Sequence, residues 1–332
     1  MGMESIKNTS KSEVQESNQM ISDEEFETQF VEQTIEVGGN ELRYVAMEPL
    51  ETISDEYVVY VGGFSMGPGV YKQEIKGLAQ SGRKVLFLNP LKGVEATQAD
   101  SKKFEEFDLP GTIQNKTSEA LMLLDRLAIG RADFVGHSQG AIIATTVAIM
   151  RDGIADNLVL LNPAGLYGED TSPDMWARTA KGTIREQVNF WSGKNNNGKA
   201  GKAESMLGPV TMNTEIIQRA PYWRATKEIP GILATNILPV LKELQKRTGD
   251  EKTIVTLVTA NEDLTFPPKK IEEHIGLSDF EDKKAVETVF ADVVDSYAMY
   301  INKDATHNAV AYEETGLLEQ ILNGNLEKKV QS

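Results

Sequence analysis

The chain has 332 residues, 40% of them hydrophobic and 25% charged, enough for one large domain or a domain carrying an insertion. Its formal net charge of −16 argues against nucleic acid and against anionic membrane surfaces as main partners. There is no cysteine, which excludes a disulfide scaffold, a thiolate zinc site and a cysteine nucleophile. No apolar stretch approaches the roughly 18 residues of a membrane span. Residues 1–20 are polar and lack the apolar segment of a secretory signal, so a cytoplasmic location is expected.

Residues 1–26 are rich in Ser, Glu, Asn, Lys and Gln and are read as a disordered tail. Residues 31–37 and 41–47 alternate apolar and polar side chains around Gly38-Gly39-Asn40, the pattern of a hairpin. Residues 57–61 (YVVYV) form a continuous β-branched and aromatic run, which fits a strand buried on both faces. A glycine-rich loop follows, Gly62-Gly63-Phe64-Ser65-Met66-Gly67-Pro68-Gly69. It has neither the Lys-Ser/Thr pair of a phosphate-binding loop nor the spacing of a dinucleotide fingerprint, so its backbone N–H groups are read as facing a reaction site instead. Residues 70–80 read as a helix, 84–89 as a buried strand, 93–110 as polar and irregular, and 112–129 as a helix.

Residues 132–150 (ADFVGHSQGAIIATTVAIM) organise the rest. A short apolar run enters Gly136-His137-Ser138-Gln139-Gly140, and a helical run leaves at once. Strand, sharp turn and helix meet at Ser138. Gly136 and Gly140 remove two β-carbons where strand and helix would collide, and the turn lifts the serine hydroxyl out of the top of a sheet. Residues 157–161 form another buried strand. From 166 to 250 the strand–helix rhythm stops and only helical stretches are found, clearest at 172–191 and 228–247, around a Gly/Asn/Lys-rich loop at 192–202. All three tryptophans (Trp176, Trp191, Trp223) fall in this insertion, which is slightly basic, about +3. They are read as core of a cap and, collectively, as an apolar lid that binds an acyl or alcohol group and excludes water. Strands resume at 253–260 and 296–302, with a charged helical region at 269–294 and a closing helix at 309–322. Strands alternating with helices imply a mostly parallel sheet with helices on both faces.

A serine hydroxyl needs a base to take its proton, and the base needs a carboxylate to fix its tautomer. Asp263 follows the strand ending at Ala260, and His307 follows the strand ending at Asn302. Ligands in open parallel sheets gather at those strand ends. Glu262 competes with Asp263 for the acid role. Of the other two histidines, His137 is expected to pack or hydrogen-bond beneath the turn, and His274 to sit on a charged helix surface. Three histidines with no pairing at ligand spacing argue against a protein-built zinc site, and no cofactor or metal is expected.

With a Gly-x-Ser-x-Gly turn and the order Ser…Asp…His, the chain resembles the α/β-hydrolase superfamily over residues 57–322, with an insertion placed like that family's cap. The resemblance implies an α/β-hydrolase core over 27–165 and 251–332 and a helical cap over 166–250. It implies Ser138 as nucleophile, His307 as general base and then acid, and Asp263 as orienting carboxylate. It also implies an oxyanion hole made of the backbone N–H groups of Phe64 and Gln139. Many members carry His-Gly where this chain has Gly62-Gly63. The implied activity is hydrolysis of a carboxylic ester or thioester of an apolar small molecule. The same triad on a C–C bond or an amide, and a non-catalytic binding protein, are the alternatives.

Overall fold

The computed structural model describes residues 21–49, 51–90, 93–168, 173–175, 177–179, 181–182, 222–260, 263–276, 293–300 and 317–323. Among the described residues eight strands form one sheet: β1 (Gln33–Val37), β2 (Asn40–Met47), β3 (Tyr57–Val61), β4 (Lys84–Leu88), β5 (Ala132–His137), β6 (Ala155–Leu161), β7 (Ile254–Ala260) and β8 (Ser296–Tyr300). Their spatial order is β1-β2-β4-β3-β5-β6-β7-β8. The first two strands pair antiparallel, and β2 runs antiparallel to β4; every other pairing is parallel. Gly38 and Gly39, at φ 57° and 80°, form the two-residue turn of the β1–β2 hairpin, a conformation that favours glycine at both positions.

The described helices are α1 (Asp23–Gln29), α2 (Lys72–Gln80), α3 (Gln98–Glu105), α4 (Gly111–Arg126), α5 (Gln139–Met150), α6 (Tyr222–Ala234), α7 (Leu238–Leu244), α8 (Pro268–His274) and α9 (Leu317–Leu322). Two hydrophobic layers sandwich the sheet, because successive strand side chains point to opposite faces. Val59 and Val61 of β3 join one layer with α4, α5 and α7, whereas Val58 and Tyr60 join the other with α1, α2 and α9. All twelve residues of α5 are buried. A helix apolar all round belongs in the centre of a domain, and α5 packs on β5, β6, α4 and α7.

Three segments differ from the sequence reading. Within the stretch read as tail, Asp23–Gln29 is a helix with a capping box: the Ser22 hydroxyl accepts from the Glu25 N–H and the Glu25 carboxylate from the Ser22 N–H. Phe26 is fully buried and stacks on Phe30, so the fold begins before residue 26. Within the stretch read as irregular, α3 is capped by Thr97, whose hydroxyl accepts from the Asp100 N–H at 3.1 Å. The helical stretch expected over 228–247 is two helices, broken between Ala234 and Leu238. The tail at 1–20, most of the insertion (183–221) and most of the 269–294 helical region lie outside the described residues.

Among the described residues no helix is long and apolar enough to cross a membrane.

Candidate active site

The sheet has a topological switch point between β3 and β5. The chain leaves β3 through α2 on one face and leaves β5 through α5 on the other. A crevice opens at the carboxyl ends of the strands where connections diverge, and ligands bind there. The glycine-rich loop after β3 and the serine turn after β5 form its two walls.

Ser138 has φ 54° and ψ −119°, a conformation that non-glycine residues rarely adopt and that costs of order 1–3 kcal/mol. Backbone bonds hold it there. The Ser138 N–H donates to the Leu161 carbonyl at 3.0 Å, and its carbonyl accepts from Ala141 and Ala164, both at 3.1 Å. The glycine spacing is a steric requirement. A β-carbon on Gly136 would sit 2.6 Å from Ala141 Cα, and one on Gly140 would sit 2.6 Å from the Gly62 carbonyl oxygen, with the Val61 carbonyl closer still. Strand, turn and helix close up as the motif implies. Ser138 is 8% exposed.

The loop after β3 abuts this turn: a β-carbon on Gly63 would meet Ser138 Cβ and His137 Nδ1 at 3.2 Å each. Gly63 through Met66 form a tight turn closed by a Met66 N–H to Gly63 carbonyl bond of 3.1 Å, with Ser65 at φ 54°. The N–H groups of Phe64 and Gln139, the expected oxyanion donors, donate to no described group. Gln139 opens α5, so its N–H lies at the positive end of the helix dipole.

His137 is buried beneath the turn, as expected. Its Nδ1 lies 2.9 Å from the Tyr71 hydroxyl, which accepts from the Gly63 N–H at 2.6 Å. Tyr71 therefore links the two walls of the crevice through a side chain that the sequence did not single out.

Asp263 lies three residues beyond β7 and is 2% exposed. Its Oδ1 accepts from the N–H groups of Thr265 (2.8 Å) and Phe266 (2.9 Å), which fixes the carboxylate's orientation within its loop. Asn162 sets the height of that loop. At φ 41° it ends β6, donates its N–H to the Val258 carbonyl at 2.8 Å, and accepts the Ala260 N–H on Oδ1 at 2.6 Å. Since Ser138 is bonded to Leu161, one chain of backbone and amide contacts runs from the serine turn to the aspartate loop.

A second unpredicted feature is a buried ion pair. Lys116 of α4 is 3% exposed and its Nζ lies 2.8 Å from Glu228 Oε2 on α6 and 3.3 Å from Gln139 Oε1. It joins the inserted segment to the residue after the serine. Tyr167 and Phe266, with ring centroids 4.7 Å apart, make a further contact between the start of the insertion and the aspartate loop. His274 is partly buried rather than solvated; its pKa is lowered first by burial and then by the Lys242 charge.

Of the residues singled out from sequence, Ser138, Phe64, Gln139 and Asp263 are described, the first three around one crevice and the fourth at the end of β7. His307, Glu262, Trp176 and Trp191 lie outside the described residues, and Trp223 falls on α6. Among the described residues no group of three or more His, Asp or Glu side chains is arranged to hold a metal.

No family model matches the chain. The karrikin insensitive 2 receptor CA of Petunia hybrida is 26% identical over 116 residues, and a probable esterase of Oryza sativa subsp. japonica is 28% identical over 113. These matches take in 35% and 34% of this chain and span only 41% and 40% of the length of those relatives. Among solved structures, an N-acyl homoserine lactone degrading enzyme superposes with TM-score 0.58 at 17% identity, covering 88% of this chain and 99% of that one. The enol-lactonase of Burkholderia xenovorans LB400 superposes with TM-score 0.56 at 15% identity, over 88% and 98% of the two chains. Strand order, the turn at Ser138 and these likenesses agree: the chain has the α/β-hydrolase fold.

Proposed function

We propose that the protein is a serine hydrolase that cleaves a carboxylic ester or thioester of an apolar small molecule through an acyl-enzyme on Ser138. The observation that carries this reading is the strained backbone of Ser138, held by three backbone hydrogen bonds between two glycines that admit no side chain. Strain of this kind persists where the surroundings over-determine it, and it clusters at reactive residues. In the reaction, His307 takes the Ser138 proton as Oγ attacks the carbonyl carbon. The oxyanion is held by the N–H groups of Phe64 and Gln139, each worth about 3–4 kcal/mol in comparable sites. Collapse of the tetrahedral intermediate expels the alcohol or thiol, which takes the proton from His307. Water, deprotonated by the same imidazole, then attacks the acyl-enzyme and releases the acid. Asp263, its Oδ1 already engaged by two backbone N–H groups, orients the imidazole and stabilises its charged form. The insertion carrying Trp176, Trp191 and Trp223 supplies an apolar cover for the acyl or alcohol group, and no cofactor takes part.

One relative is a receptor and another a probable esterase, which supports a second reading, in which the same pocket binds a small molecule for signalling and turns it over slowly or not at all. Hydrolysis of p-nitrophenyl esters of rising acyl length, with Ser138→Ala and His307→Ala as controls, separates the two. Turnover abolished in both variants supports the hydrolase. A folded wild type that turns over no ester, thioester, amide or β-diketone refutes it.

A further inference from the structure

The geometry points to Asn89 as the positioning residue that aims the Phe64 N–H into the oxyanion hole, an inference that rests on the acyl-transfer reading above. Asn89 follows β4, is 6% exposed, and is far from Ser138 in sequence. Its Nδ2 donates to the Gly63 carbonyl at 3.0 Å and also to the Met66 carbonyl, so one amide group grips both ends of the turn that carries Phe64. Only an NH₂ group can face two carbonyl oxygens favourably, which fixes the orientation of the amide.

The peptide joining Gly63 to Phe64 is trans, because the described chain has no cis bond. In a trans peptide the C=O and the N–H point in opposite directions from one rigid plane. Whatever holds the Gly63 carbonyl therefore aims the Phe64 N–H. That carbonyl has two lone pairs, and both are engaged, one by the Met66 N–H at 3.1 Å and one by Asn89. On the other side of Gly63, its own N–H is held by Tyr71 at 2.6 Å. The residue is pinned fore and aft, and Phe64 is left as the outward donor. Hydrogen bonds to a carbonyl also polarise its peptide and strengthen the N–H as a donor.

The test is steady-state kinetics of wild type, Asn89→Ala and the isosteric Asn89→Asp on one p-nitrophenyl ester. The concentration of active sites is counted by the burst of p-nitrophenol, so that loss of folded protein does not register as loss of rate. A trifluoromethyl ketone serves as analogue of the tetrahedral oxyanion. A positioning role predicts that kcat per titrated site falls roughly 10- to 100-fold in Asn89→Ala, less than the roughly 10²–10³-fold cost of deleting an oxyanion donor. KM stays within about twofold, and inhibition by the ketone weakens in the same proportion as kcat/KM. In Asn89→Asp a carboxylate would face two carbonyl oxygens. Its rate relative to wild type should rise as the pH falls from about 8 to about 5, where a protonated carboxyl regains an O–H donor. Should Asn89→Ala not fold, the isosteric variant carries the test alone. Unchanged kcat per site with wild-type ketone affinity would overturn the role of Asn89 and leave the hydrolase reading intact. A folded wild type with neither burst nor turnover would overturn both.

Discussion

Alanine at Gly140 introduces one methyl group where the structure has no room for it. The new β-carbon would stand 2.6 Å from the Gly62 carbonyl oxygen and 2.7 Å from the Val61 carbonyl carbon, whereas ordinary van der Waals contact begins at 3.4 Å. The Val61 carbonyl oxygen would be nearer still, so relief requires a displacement of more than about 0.8 Å, and the atoms that must give are backbone on both sides. On one side is α5, buried along its whole length; on the other is the end of β3, hydrogen-bonded to β4 and β5. Overpacking of this kind typically costs 1–3 kcal/mol, and with no flexible side chain to yield we expect about 3 kcal/mol. The displaced Gly62 leads directly into Gly63 and Phe64. A misplacement near 1 Å in a catalytic constellation costs about 100-fold in rate, so kcat should fall by at least that factor. Urea unfolding reads the first effect and p-nitrophenyl ester hydrolysis the second. Gly111→Ala is the control: it opens α4 where a β-carbon meets nothing within 4 Å, and its stability should change by less than about 1 kcal/mol. Wild-type stability and wild-type kcat in Gly140→Ala would refute the steric account of the motif.

Asp263→Asn can still accept the Thr265 and Phe266 N–H groups through its amide oxygen but offers no charge to an imidazolium; kcat should fall by about 10⁴-fold with little change in thermal stability, measured by calorimetry alongside turnover. Arg83 binds Asp133 at 3.1 Å and the Leu322 carbonyl at 3.0 Å, tying β4 and β5 to α9. Arg83→Met leaves a buried carboxylate without its cation and should cost about 3–5 kcal/mol near neutral pH. Burial already pushes the Asp133 carboxyl above its usual range, against the Asn157 bond and the Arg83 charge. A carboxyl raised on folding favours the folded state below its unfolded pKa and opposes it as pH rises, so denaturant midpoints should show a smaller penalty at about pH 4 than at about pH 7. His274 has the opposite requirement: held below its ordinary value of about 6.5, it resists protonation in the folded state, so stability drops as pH falls below that value. In His274→Gln the melting temperature should decline less between about pH 7 and about pH 5.

The sheet was readable in the residues because β3, β5, β6 and β7 are buried on both faces. Such strands carry runs of apolar and β-branched residues, and each run gives way abruptly to Gly, Asn or Ser. The serine turn was readable because its glycines answer to local backbone geometry within five residues. The helices overlooked, α1 and α3, bury very little: Phe26 in one and Phe104 in the other. Hydrophobic periodicity has almost nothing to report there, and the signal lay in the caps, Ser22 with Glu25 and Thr97 with Asp100. The polar groups that support the crevice were not readable, since their partners come from distant segments. Asn89 meets Gly63 across 26 residues, and Tyr71 meets His137 across 66. Lys116 and Glu228 sit on separate helices with the whole serine turn between them in the chain. A polar residue at the carboxyl end of a central strand, as Asn89 and Asn162 are, is the one sequence feature that pointed toward them.

Reaction with a fluorophosphonate probe tests the central claim most directly, because the reagent phosphonylates a serine whose proton a base removes while N–H donors hold the phosphoryl oxygen. The account predicts a single adduct on the folded wild type, located at Ser138 by peptide mass spectrometry, and none on folded Ser138→Ala. A folded wild type that remains unlabelled, or a Ser138→Ala variant that labels as fast as wild type, would contradict it.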